Sequence, residues 1–115
     1  RGQGPGGMSE KTKQEYISDG LDVFAEGKYH EAIDIYRKAL DIDETYVEGH
    51  LAIAKAYELM GALDEAIEML KAGITHHPSE PFLHTSLSQC LQKQGLIPEA
   101  EEEMAIAHQL QQSGA

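Results

Sequence analysis

Residues 61–78 read Gly-Ala-Leu-Asp-Glu-Ala-Ile-Glu-Met-Leu-Lys-Ala-Gly-Ile-Thr-His-His-Pro, and this stretch decides the fold. Gly61 opens it, and Leu63, Ala66, Ile67 and Leu70 follow at the three- and four-residue spacing of one helix face. The pattern stands 34 residues earlier as Gly27, Lys28, Tyr29, His30, Glu31, Ala32 and Ile33, then Tyr36, Ala39 and Leu40. It stands 34 residues later as Gly95, Leu96, Ile97, Pro98, Glu99 and Ala100, then Met104, Ala107 and His108. A fixed period of this length marks a stacked array of helix–turn–helix units.

Composition narrows the possibilities. At 115 residues the chain is sized for one domain. Three repeats are about the minimum for a stable stack, because each must bury its apolar face against a neighbour. No strand pattern appears, and no apolar run approaches the roughly 18 residues that span a bilayer. With 9 basic and 20 acidic residues the formal charge is −11, and the acidic excess recurs in every repeat. A nucleic-acid binder needs a basic face, so nucleic acid is excluded as an expected partner, and anionic membrane with it. A neutral or basic protein partner fits the sign of the charge. Cys90 is the single cysteine and sits in an apolar helical pattern, which predicts a buried, unpaired thiol. With no leader-like segment in view, the expected location is the cytoplasm.

Residues 1–7 have no apolar side chain to bury and four glycines, the composition of a vector-derived tail before a native start at Met8. Residues 8–12 lead in. Thr12 with Glu15 forms a capping box that opens a helix near Lys13, and Gly27 closes it. A second helix spans about residues 30–42. Thr45 with Glu48 reads as another capping box. Asp64 reads as the cap of the next trailing helix, and Ser79 as the cap before Pro81. The repeats are bounded at 13–46, 47–80 and 81–112, with a frayed end at 113–115. Two helices approach closely only where a side chain is tiny. Gly20, Ala54 and Ser88 mark that point in the leading helices, and Ala32, Ala66 and Ala100 in the trailing ones.

Taken together, His50, Ile53, Ala54, Tyr57, Ala66, Leu70, Gly73 and Pro78 resemble the tetratricopeptide repeat pattern. Tyr16, Gly20, Val23, Ala32, Tyr36 and Ala39 repeat it before, and His84, Leu87, Ser88, Leu91, Ala100, Met104 and Ala107 repeat it after. The first repeat departs from it at Asp19, usually apolar, and at Glu44, usually proline. The resemblance implies an all-α solenoid, a right-handed superhelix of three antiparallel helix pairs. It further implies that the leading helices line a concave groove and that the protein binds other proteins without catalysis. Groove-facing family positions map onto Gln14, Ile17, Leu21 and Phe24, then Glu48, Leu51, Lys55 and Glu58, then Phe82, Thr85, Gln89 and Gln92. Of these, Ile17, Leu21, Phe24, Leu51, Lys55, Phe82, Thr85 and Gln89 are the candidate peptide-binding residues. Relatives that grip the acidic tails of heat-shock chaperones use several lysines, arginines and asparagines here. This chain supplies Lys55 and contains no asparagine.

The residues offer little chemistry. His50 and His84 occupy one place in successive repeats and read as packing rings. His76 and His77 sit together near a connection, but a zinc or copper site needs three or four converging ligands. Glu101, Glu102 and Glu103 suit the start of a helix. No catalytic residue, metal or cofactor is expected. A further expectation concerns the last repeat, where Leu91, Met104 and Leu110 form an apolar surface for self-association into a homodimer.

Overall fold

The computed structural model describes residues 10–114. The tail expected at residues 1–7 lies outside them, as do residues 8 and 9. Six helices follow one another: α1 (Lys13–Ala25), α2 (Tyr29–Ile42), α3 (Val47–Leu59), α4 (Leu63–His76), α5 (Pro81–Lys93) and α6 (Ile97–Ser113). Each pair shares a tight turn whose glycine has positive φ: 81° at Gly27 and Gly61, 82° at Gly95. That conformation is strained for any residue with a Cβ, which explains glycine at the same place in every repeat.

The backbones of the leading helices α1, α3 and α5 approach one another in sequence, whereas those of the trailing helices α2, α4 and α6 stay apart. The stack therefore curves, with the leading helices on its inner side. It measures 52 × 32 × 19 Å, elongated as a quasi-one-dimensional array should be. Its core is two linked clusters. Ala32, Ile33, Tyr36, Ile53 and Ala56 form one, and Ala54, Ala66, Leu70, Leu83, Leu87, Cys90, Leu91 and Ala100 belong to the other. Tyr57 and Met69 lie against both.

Small residues stand where the helices cross. A Cβ on Gly20 would overlap the ring of Tyr36, which is itself buried. At the matching place in the third pair, the Ser88 hydroxyl donates to the Ala100 carbonyl at 2.6 Å. The capping box of Thr12 and Glu15 forms in full. Three expected caps do not. Thr45 gives its hydroxyl and its N–H to Asp43 (2.7 and 3.0 Å), and α3 begins at Val47 behind Tyr46 as its cap. Asp64 stands inside the first turn of α4, whose cap is Ala62. Glu80, not Ser79, caps α5 by accepting from the Phe82 N–H at 3.0 Å.

Candidate concave groove

The inner face is built by register. Residues four apart on α3, and again on α5, stack along one side of each helix. Leu51, Lys55 and Glu58 from α3 meet Phe82, Ser86 and Gln89 from α5 around a cavity of about 270 Å³. Buried Ala54 and Leu70 complete its lining. Phe82 is 61% exposed and Leu51 half-buried, so an apolar edge faces the opening.

Charge inside the groove is largely cancelled. The Glu58 side chain is only 7% exposed. Its carboxylate lies 3.6 Å from Lys55 Nζ and 2.8 Å from Lys93 Nζ. The hydrogen bond to Glu58 pushes the Lys93 ammonium above its usual range. Cys90 lies beneath, fully enclosed, and burial pushes its thiol up to about 11, with the Glu58 charge adding to the effect.

The sequence-derived candidates divide. Leu51, Lys55, Phe82 and Gln89 converge on the cavity, joined by Glu58. Thr85 is half-buried and outside its lining. Ile17 and Phe24 pack into the first core cluster instead, where the Phe24 ring sits 5.1 Å from that of Tyr29. Leu21 alone of that trio stands half in solvent, at 50% exposure. Ser86 and Lys93 were not anticipated. Ser86 follows from the same helical register as Phe82 and Gln89, but the Lys93 contact joins two helices, with no local signal.

At the end of the stack the expected open surface is smaller than the sequence suggests. Leu91 is 7% exposed, because it packs into the second core cluster with Cys90 and Ala100. Met104 and Leu110 are each half-buried.

His50 and His84 are buried within the packing. His50 places Nε2 2.9 Å from the Glu44 carbonyl and Nδ1 3.2 Å from that of Met69. One repeat on, His84 places Nε2 2.8 Å from the Pro78 carbonyl and Nδ1 2.7 Å from the Glu103 carboxylate. His76 ends α4 and His77 follows it, with the His77 Nε2 2.6 Å from the Thr45 carbonyl. Among the described residues, no three His, Cys, Asp or Glu side chains converge as metal ligands would. Among the described residues, none of the helices is long and apolar enough to cross a membrane.

Comparison with known proteins agrees with the repeat. A family model described as tetratricopeptide repeat matches residues 23–85. Tetratricopeptide repeat protein 14 of mouse is 33% identical over 91 residues, covering 79% of this chain and 12% of its own length. The low calcium response locus protein H of Yersinia pestis is 24% identical, covering 90% of this chain and 61% of its own. The chain thus spans less than two thirds of either relative. Among solved structures, the Yersinia enterocolitica type III secretion chaperone SycD, in complex with a peptide of the translocator YopD, superposes with a TM-score of 0.80. It has 24% identity and covers 90% of this chain and 79% of that one.

Proposed function

The chain belongs to the tetratricopeptide repeat family, and we propose that it is a non-catalytic interaction module whose concave groove takes an extended or helical segment of a partner protein. The observation that carries this reading is Phe82, exposed at the edge of the cavity between α3 and α5. A large apolar side chain at a pocket edge, with polar groups around it, is the usual anchor of a peptide site. The Yersinia neighbour crystallised with a translocator peptide has the same helix arrangement, which supports the peptide-binding reading.

The partner is apolar-anchored and neutral or basic. Lys55 and Lys93 are both turned onto Glu58, so the groove offers little free positive charge to an acidic tail. The surrounding charge of −11 favours cations in the approach. The reading is non-catalytic because the reactive side chains are committed to packing: Cys90 is enclosed, and the rings of His50 and His84 face acceptors on both nitrogens.

Affinity capture from the source cell identifies the partner, and Phe82→Ala with Leu51→Glu tests the site. Both variants should lose capture of that partner while keeping their helical circular dichroism. Capture undiminished in both would remove the groove from the account.

A further inference from the structure

The outer face carries a second cavity with a different chemistry. The backbones of α2 and α4 stay apart, and a furrow of about 300 Å³ lies between the two helices, with Tyr57 and Met69 in its lining. Both are half-buried and bridge the two core clusters, so the furrow opens onto the seam between repeats. Exposed Ala72 lies at its edge. Asp64, Glu65 and Glu68 stand on the α4 side, and no lysine or arginine among the described residues forms an ion pair with them, although Asp64 accepts a hydrogen bond from the Gln94 amide at 2.5 Å. Arg37 of α2 completes the lining, its guanidinium donating to the Tyr57 hydroxyl at 2.8 Å.

The next repeat does not reproduce this chemistry. Leu91 and Glu103 take the places of Tyr57 and Met69 there. Leu91 is enclosed, and the Glu103 carboxylate turns inward to His84.

We propose that this furrow is a second binding surface. It takes a partner segment that presents one large apolar side chain to Tyr57 and Met69, and lysines or arginines to Asp64, Glu65 and Glu68. Charge selects this occupant. A second copy, at −11, would bring carboxylates against carboxylates, whereas a cationic segment pairs with Glu65 and Glu68 and adds charge to Asp64 beside its Gln94 bond. The site is separate from the groove and does not depend on it.

Three synthetic peptides serve as probes: one with a phenylalanine between lysines, one with alanine in its place, and one with glutamates for the lysines. In protein labelled at its methionine methyls, the Met69 resonance should move saturably with the first peptide, more weakly with the second and not with the third. That affinity should fall as salt rises, because the ion pairs are exposed. Replacing the peptide's phenylalanine should weaken binding about tenfold or more, as loss of a buried anchor does. A72R fills the furrow with a like-charged side chain and should weaken binding similarly, while Phe82→Ala should leave it unchanged. A Met69 signal that ignores the first peptide, an equal response to all three, or full binding in A72R overturns the proposal. So does a Met69 shift produced by raising protein concentration alone, which would make a second copy the occupant.

Discussion

The carboxylate of Glu103, on α6, lies 2.7 Å from Nδ1 of the buried His84 ring on α5. The other ring nitrogen reaches the Pro78 carbonyl in the connection between repeats, so one side chain ties three segments together. Removing Glu103 leaves a buried nitrogen without its partner. Glu103→Ala should therefore cost about 1–3 kcal/mol, the range for an orphaned buried hydrogen-bonding group. A urea midpoint unchanged from the parent would show that water replaces the carboxylate freely. No substitution at Met69 can remove the equivalent bond of His50, since the acceptor there is the backbone.

Gly20 should not tolerate alanine. In an exposed helix interior that change gains up to about 1 kcal/mol of propensity. Here the new methyl would enter the ring of Tyr36, which is buried and has little room to move. Overpacking of this kind costs about 1–3 kcal/mol, so the net effect of Gly20→Ala is destabilising. Thermal unfolding at or above the parent midpoint would mean that the ring shifts without cost.

These two contacts show how far the sequence could be read. The repeat was legible because equivalent positions answer one demand three times. Ala32, Ala66 and Ala100 are all fully enclosed at helix crossings. The helix starts were less legible. Thr45 has the residue type of a cap, but Asp43, itself held by Lys13 from another helix, engages it first. Within the groove, Phe82 followed from the resemblance to the repeat family, whose groove-facing positions map onto it. Ile17 and Phe24, one period before Leu51 and Glu58, pack into the core of the first repeat instead, where Tyr29 offers Phe24 a ring to pack against. The pairing of Glu58 with Lys93 links helices α3 and α5, and no local pattern encodes it.

Asp43 predicts a pH dependence. The hydrogen bond from Lys13 Nζ at 2.6 Å, then those from the Thr45 hydroxyl and N–H, hold its carboxyl well below the usual range. A depressed folded-state value means that the ionised form is favoured by folding. Its contribution is fully present above the unfolded value of about 4 and is lost as pH falls below it. Asp43→Asn should thus be least stable relative to the parent at neutral pH, with the gap closing in acid. Urea midpoints across the acid range check this, and a gap that widens in acid would reverse the sign.

Cys90 should be silent toward thiol reagents in the native state. Its pKa of about 11 leaves almost no thiolate at neutral pH, and its side chain is enclosed in the core. Reaction then requires opening of the helix pair, so labelling should be on the order of a hundredfold or more slower than in denaturant. Comparable rates in the two states would show that α5 and α6 separate readily.

Glu58 sets the charge that the groove shows to a partner. It is almost enclosed, while Lys55 and Lys93, which it holds, are each about half exposed (54% and 51%). The lysine ends of these pairs are open to solvent, which limits what the pairs add to stability. Their larger effect is on recognition, because two lysines engaged by one carboxylate are poor at capturing another. Glu58→Gln removes the competitor and frees the Lys55 ammonium at the cavity and that of Lys93 beside it. Binding of an acidic heptapeptide should then tighten about two- to tenfold, the scale of one or two exposed ion pairs. Binding of a basic peptide in the groove should weaken in parallel, and both changes should shrink as salt rises. Titrations showing both affinities unmoved would mean that Lys55 and Lys93 do not meet the bound segment, and that partner choice rests on Phe82 and Leu51.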